Sequence, residues 1–314
     1  MTIKIAILGL GTMGRNHLRI LSMLKDVDVS YIFDFDKVLL KNLSDEYNVP
    51  FTTDACEAIE GADAVVIVTP TSTHFEYCKL CVDKVKYIFI EKPLAADYEE
   101  ALAIKALAEQ HNCFIQCGFI ERFNPVVSAL KRIVDAECVI NADFTRTNRL
   151  SNRITDVNVV LDLMIHDVDL ALHLNGPVDK VLAYGKKEHG LAAFVSAIFY
   201  HTNGAMSRLL ASRMTEKKIR SINVTTANLY VESELIKKEI TIHKQSQISQ
   251  EENKAYIVSS IEQQVEIKPQ EALLLELQAF IMLCKGDAAV DVPEINAGVE
   301  SLRLAQLILD QVEN

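Results

Sequence analysis

The chain has 314 residues, 49% hydrophobic and 24% charged, enough for a sizeable core in one large or two ordinary domains. Lys and Arg number 32 against 43 Asp and Glu, and the cations are scattered through a net charge of -11, which argues against nucleic-acid binding and against an anionic membrane surface. No apolar run approaches a membrane span and the start of the chain is unlike a signal peptide, so the expectation is a cytoplasmic protein.

Residues 3–8 form a short apolar run that reads as a strand buried on both faces of a parallel sheet. It leads into Gly9-Leu10-Gly11-Thr12-Met13-Gly14, after which Leu18, Leu21 and Leu24 follow at helical spacing. At such a junction Gly9 permits the tight turn, Gly11 lets backbone N–H groups approach a pyrophosphate, and Gly14 lets the helix sit on the strand; the helix N-terminus supplies the positive end. Alone this pattern is weak. A second strand, 29–33, strengthens it by placing Asp34 20 residues beyond Gly14, where an acid would accept from the adenosine ribose. No arginine follows directly and a carboxylate repels a 2'-phosphate, so NAD is expected over NADP. The competing reading of Asp34 is a helix cap.

A helix over 37–47, a short strand near Phe51 and a buried strand over 64–68 come next. The last ends in Thr69-Pro70-Thr71-Ser72-Thr73-His74. Loops after strand carboxyl ends line the ligand crevice of an open parallel sheet, so Thr69, Thr71 and His74 are expected beside the cofactor, with a Thr/Ser-rich cap as the alternative. The following helix holds Cys78-x-x-Cys81. Seven cysteines, an odd number in apolar context with no second C-x-x-C, are expected to be reduced core residues, and no metal site is expected. The strand 87–90 runs into Glu91-Lys92-Pro93, which sets a lysine at the sheet's carboxyl edge, where the proline disfavours helix. A helix over 98–110 and the strand 114–117 complete a first domain, 1–121.

The second domain, 122–314, begins with a helix over 125–134, a strand over 138–144 and an arginine-rich loop containing Arg146, Arg149 and Arg153. The helix over 158–174 is apolar round most of its circumference, yet Asp162, His166, Asp169 and His173 fall on one stripe. Buried polar groups are costly unless they meet water, each other or a ligand, so the stripe reads as a wall of a substrate pocket. Six strand-like runs from Val181 to Lys244 without helices between them imply an antiparallel meander, followed by a polar loop over 245–254 and closing helices over 270–285 and 295–312 that pack back. The fold class is α/β: an N-terminal Rossmann domain with a parallel sheet plus a C-terminal α+β domain with a large, mainly antiparallel sheet. The run 191–200 is apolar on both sides, which implies association through that sheet as a homodimer or homotetramer.

With these residues in view, the chain resembles the glucose-fructose oxidoreductase and inositol dehydrogenase family over essentially its whole length. The glycine loop with His17, Glu91-Lys92-Pro93, the crossover Gly118-Phe119-Ile120-Glu121-Arg122-Phe123-Asn124-Pro125, and Asp162-x-x-x-His166-Asp167 each look like a motif of that family. Arg149-x-x-x-Arg153 leading into the Asp162 helix is most similar to members that oxidise the 3-hydroxyl of a UDP-N-acetylhexosamine, although Leu150-Ser151-Asn152 replaces a Gly-Pro-rich segment. The resemblance implies cofactor contacts at Thr12, Met13, Glu91 and Lys92 as well, and substrate contacts at Arg122, Arg149, Arg153, Asp162 and His166. His166 is then the base, Lys92 the donor to the substrate oxygen from the other domain, and Asp162 the group that orients the imidazole or the sugar. An inositol or free-sugar dehydrogenase is the alternative, and a non-catalytic nucleotide-sensing regulator the second.

Overall fold

The computed structural model describes residues 2–149, 157–249, 257–287 and 289–313, the side chains of 245–249, 257–260 and 313 excepted. The chain forms two compact units, residues 1–123 with 271–303 and residues 124–270 with 304–314.

The first unit is built on a parallel sheet of β1 (Ile3–Leu8), β2 (Val27–Phe33), β3 (Phe51–Thr52), β4 (Ala64–Ile67), β5 (Tyr87–Glu91) and β6 (Phe114–Gly118). The order is β3-β2-β1-β4-β5-β6, so direction reverses beside β1 and a crevice opens past the carboxyl ends of β1 and β4. β4 is buried along its whole length and β1 at all but Lys4, which is why both read as unbroken apolar runs. The crossover helices are α1 (Thr12–Leu21), α2 (Lys37–Tyr47), α3 (Ala55–Ile59), α4 (His74–Cys81) and α5 (Tyr98–His111). Asp36 caps α2 by accepting from Val38 and Leu39 N–H, Asp97 caps α5, and Asn48 and Asn112 close these helices in the left-handed region. Burial pushes the thiols of Cys78 and Cys113 up to about 12, which keeps both in the protonated form near neutral pH.

The second unit opens with α6 (Pro125–Val134), capped by Asn124 with Pro125 in the first turn. Its sheet comprises β7 (Val139–Thr147), β8 (Val178–Glu188), β9 (Leu191–His201), β10 (Met206–Ser212), β11 (Ile219–Thr226), β12 (Leu229–Glu234), β13 (Glu239–Ser249) and β14 (Ile257–Val265). The order β14-β13-β12-β11-β7-β10-β9-β8 is antiparallel except where β7 runs parallel to β10. The plain meander is therefore corrected: β7, from much earlier in the chain, is inserted between β11 and β10. The polar stretch expected as a loop over 245–254 is also corrected, since β13 continues to Ser249 and pairs with β14, a strand the sequence reading lacked; 250–256 lie outside the described residues. The strand expected over 138–144 runs on to Thr147 and takes Arg146 into the sheet.

α6 contacts β12 and β13, while α7 (Ile165–Asn175) contacts β7 and β10. Along β9, Val195, Ala197 and Phe199 are buried, whereas Phe194, Ile198 and Tyr200 on the opposite face stay partly exposed beside Leu182 and Tyr184 of β8. Both faces are apolar, and one is left uncovered in the single chain. The helix ahead of α7 is not regular: Val160–Met164 forms a π-helical turn.

Two helices close the chain, α8 (Ala272–Cys284) and α9 (Ile295–Glu313). α8 belongs to the first unit, where Leu277 and Phe280 join one core with Ile5, Ile7, Leu18 and Phe89, and the Phe280 and Phe89 rings meet edge-on at 5.7 Å.

Candidate active site

In the first unit the glycine loop is shaped by close approach. Gly9 has φ of 94°, and a Cβ on it would lie 2.7 Å from Thr69 N; one on Gly14 would lie 2.0 Å from Gly9 O. A Cβ on Gly11 would meet nothing within 4 Å. Gly9 and Gly14 thus hold strand, loop and α1 together, while Gly11 presents backbone to open space at a helix N-terminus, the arrangement that suits a pyrophosphate. A cavity of about 480 Å³ lies against this loop, lined by Gly9, Gly11, Thr12, Met13, Asp34, Phe35, Thr69 and Tyr77 among others. Thr71 opens a short 3-10 turn, Thr71–Thr73, and is not among the cavity-lining residues.

Asp34 stands at the end of β2. Its Oδ2 accepts from Leu10 N–H at 2.7 Å and its Oδ1 from Phe35 N–H at 2.7 Å and Asp36 N–H at 3.1 Å. The cap of α2 is Asp36 instead, so Asp34 pins the phosphate loop from inside the cavity wall. Tyr77 borders the same wall, its ring 5.6 Å from that of Phe33.

Lys92 follows β5 directly, half-buried, and the Lys92–Pro93 peptide is cis. Glu91 is turned inward: Oε1 accepts from Nε2 of the fully buried His17 at 2.8 Å, and Oε2 accepts from Lys92 N–H at 3.1 Å. His74 is buried too, with Nδ1 3.0 Å from Pro93 O and Nε2 2.9 Å from Thr69 O, and burial holds its pKa below the ordinary imidazole value. Two residues expected as cofactor contacts, Glu91 and His74, therefore direct their polar atoms at the protein, which is the geometry of support.

In the second unit Asp162 sits within the π-helical turn and His166, half-buried, near the start of α7. Such turns recur at functional sites because one widened turn re-aims the side chains around it. Asp162 Oδ2 accepts from Arg213 Nη2 at 2.8 Å, and Arg213 also donates to the carbonyls of Val157 and Asn158. Arg213 thus ties Asp162 and the start of the turn together.

Asp167 is bound by Arg146, whose Nε lies 3.0 Å from Oδ2 and Nη2 2.8 Å from Oδ1. Both side chains are almost wholly buried. Arg146 is therefore corrected from a residue of an arginine-rich loop to half of a buried pair. Removing one partner of such a pair typically costs about 3–5 kcal/mol, because the other charge stays buried. The single polar stripe is corrected as well: the π-turn breaks its helical register, and Asp169 is buried while Asp162, His166 and His173 are half-buried.

Of the expected substrate arginines, Arg149 is exposed and pairs with Glu216, and Arg122 is half-buried in the 3-10 turn Ile120–Phe123. Arg153 lies outside the described residues. Sequence reasoning missed Arg213, His17 as a buried partner of Glu91, and Asp167 as a partner of Arg146. The contacts span 51, 74 and 21 positions, and local pattern carries no signal of them. Among the described residues no group of His, Cys, Asp or Glu is arranged to hold a metal ion, and no helix is long and apolar enough to cross a membrane.

Residues 3–119 match the model of an oxidoreductase family with an NAD-binding Rossmann fold, and residues 130–228 match the GFO/IDH/MocA C-terminal domain. The chain is 27% identical to UDP-N-acetylglucosamine 3-dehydrogenase of Acidithiobacillus ferrooxidans over 76% of each chain. A solved structure of the A. ferrooxidans enzyme superposes with a TM-score of 0.89 at 25% identity, covering 100% of this chain and 98% of that one. The scyllo-inositol 2-dehydrogenase (NAD(+)) of Bacillus subtilis is 30% identical over 59% of this chain and 57% of its own.

Proposed function

Since the chain belongs to the GFO/IDH/MocA oxidoreductase family, with its NAD-binding Rossmann fold in residues 3–119, we propose that it oxidises a secondary hydroxyl of a sugar, the 3-hydroxyl of a UDP-N-acetylhexosamine, to a keto sugar. The observation that carries this reading is the half-buried His166 near the start of a largely buried helix, with Asp162 one turn earlier locked by Arg213. A polar pair kept at such a place serves chemistry better than packing.

NAD, when bound, would supply the acceptor for the hydride that leaves the carbinol carbon. His166 takes the hydroxyl proton, a task suited to a group that titrates near neutrality. The Lys92 ammonium donates to the same oxygen and stabilises the charge that develops as the proton leaves. Asp162, its Oδ2 fixed by Arg213, orients the imidazole or the sugar. Gly11, Thr12 and Met13 hold the pyrophosphate on the loop that Gly9 and Gly14 shape, and Asp34 holds the ribose hydroxyls while repelling a 2'-phosphate. Thr69, on the cavity wall, completes the cofactor side. Arg122, Arg149 and Arg153 serve the substrate's anionic portion, the guanidinium fork being suited to a diphosphate.

The similarity to the A. ferrooxidans enzyme supports the nucleotide sugar, and the inositol dehydrogenases among the relatives support a free polyol as second reading. A non-catalytic sensor would need neither Lys92 nor His166, so their joint presence weighs against it. NADH formation measured across UDP-N-acetylhexosamines, the corresponding free sugars and inositols decides among the three. Turnover confined to UDP-linked sugars supports the first reading; turnover of inositols alone overturns it.

The partly exposed apolar face around Leu182, Tyr184, Phe194, Ile198 and Tyr200 supports self-association as a homodimer or homotetramer. A monomer mass at micromolar concentration would overturn that. Dependence on NAD makes the cytoplasm the natural setting.

A further inference from the structure

The short segment that presents Lys92 is gripped on each side by a buried histidine, and each leads back to the dinucleotide cavity by a separate route. The first route starts at α1, whose N-terminal end carries Thr12 and Met13 of the cavity wall. His17, less than two turns along, is completely buried, and its Nε2 donates to Glu91 Oε1 at 2.8 Å. The other oxygen of Glu91 accepts from Lys92 N–H at 3.1 Å. The Glu91 carboxylate has little room to move, since a Cβ on Gly118 would lie 3.0 Å from Oε2. His17 Nδ1 is buried without a hydrogen-bond partner. An apolar side chain would fill the same space without a dry ring nitrogen, so the contact with Glu91 is what an imidazole contributes here.

The second route starts at Thr69, whose backbone rests against the phosphate loop closely enough that a Cβ on Gly9 would sit 2.7 Å from its nitrogen. The Thr69 carbonyl lies 2.9 Å from His74 Nε2, and the Pro93 carbonyl lies 3.0 Å from Nδ1 of the same ring. A rigid planar ring thus spans the cavity loop and the residue after Lys92. Burial keeps this imidazole below its ordinary pKa, and a neutral ring has one N–H to share between the two carbonyls.

We propose that His17 and His74 are positioning residues for Lys92, which couple the two cavity-lining segments to the lysine so that cofactor occupancy and lysine placement are one event. This rests on the reading of Lys92 as the cationic donor beside the cofactor. Both rings are buried and close-packed, so a displacement of Thr69 or of the start of α1 reaches the Lys92 segment without slack. Neither histidine touches the reacting atoms; each acts through Glu91, Lys92 N–H or Pro93.

The test follows Lys92 directly and needs no substrate. The full chain is treated with acetic anhydride with and without saturating NAD, and acylation of the peptide containing Lys92 is timed by mass spectrometry. In the wild-type protein NAD is expected to slow that acylation. In His17→Leu, and in both His74→Asn, which keeps a donor only near Pro93, and His74→Gln, which keeps one only near Thr69, the protection is expected to fall at least about fivefold, the lower end of measured couplings between sites. NAD affinity, read by titration, should stay within about threefold of wild type in these variants, a change worth under ~1 kcal/mol. His17→Gln, whose amide nitrogen can occupy the Nε2 position, should restore protection. If His17→Leu does not fold, His17→Asn, whose amide falls short of Glu91, takes its place. Wild-type protection in all the histidine variants would overturn the proposal, as would a His17→Gln that behaves like His17→Leu. If NAD fails to protect Lys92 in the wild-type protein itself, the reading of Lys92 at the cofactor fails first and the proposal falls with it.

Discussion

Gly11→Ala and Gly14→Ala separate folding from cofactor binding within a single loop. A Cβ on Gly14 would lie 2.0 Å from Gly9 O and 2.9 Å from Gly9 C, both backbone atoms and both far inside ordinary contact. Loop and helix must then part, and overpacking of this kind costs roughly 1–3 kcal/mol. For a unit of this size that corresponds to a melting temperature lower by roughly 2–12 °C. Gly11 is different: its φ of -60° suits any residue, and a Cβ would meet nothing within 4 Å. Gly11→Ala is therefore expected to leave stability within about 0.5 kcal/mol of wild type. Yet its methyl group would stand where backbone N–H groups approach the pyrophosphate. Losing a charge-assisted hydrogen bond there costs roughly 1.5–3 kcal/mol, or about 10- to 150-fold in NADH affinity. Calorimetry gives the first quantity and titration of NADH fluorescence the second. A Gly11→Ala protein that binds NADH like wild type would refute the pyrophosphate cradle, and a Gly14→Ala protein with an unchanged melting temperature would refute the close approach.

Asp34→Ala removes the acceptor of Leu10, Phe35 and Asp36 N–H together, so it is expected to weaken NAD binding and narrow the preference over NADP; equal affinity of the wild-type protein for both dinucleotides would show that Asp34 does not discriminate. His166→Asn is expected to lower turnover by roughly 100-fold or more, Lys92→Met to remove most activity, and the double variant to do little further harm, since both groups serve one transition state. Fully multiplicative losses in steady-state rates would separate their roles. Burial holds His74 and His201 below the ordinary value of 6.5 in the folded protein, whereas the unfolded chain takes up protons at that value. Their share of stability is complete above pH 6.5 and is lost as pH falls below it toward the folded values, so the melting temperature should drop on acidification from pH 7 to 5; a flat profile over that window would mean that the folded protein takes up these protons as readily as the unfolded chain.

What could be read from the sequence was whatever repeats locally. The parallel sheet was legible because β1 and β4 are buried on both faces and leave unbroken apolar runs, and the glycine loop because it falls between a strand and a helix. The second sheet was legible only as a set of strands. The position of β7 between β11 and β10 depends on pairings across more than 60 residues, for which alternation has no code. Arg146 was misread because its neighbours are polar and its partner Asp167 lies on another element. The π-turn at Val160–Met164 was hidden for a different reason: its side chains are those of an ordinary apolar helix, and the partner of its Asp162, Arg213, lies 51 positions away. His17 stood in a recognisable motif, but its contact with Glu91 crosses the unit and is visible only in three dimensions.

The return of residues 271–303 to the first unit sets an order on synthesis. When residues 1–123 have left the ribosome, Ile5, Ile7, Leu18 and Phe89 have neighbours on the sheet and on α1, but Leu277 and Phe280 of α8 do not yet exist. At roughly 5–20 residues per second, the nascent chain carries that apolar face uncovered for roughly 8–30 s. Until α8 emerges, the dinucleotide-binding half exposes the kind of apolar surface that aggregates or recruits chaperones, and a stalled or truncated product ending before residue 271 is expected to keep that surface uncovered.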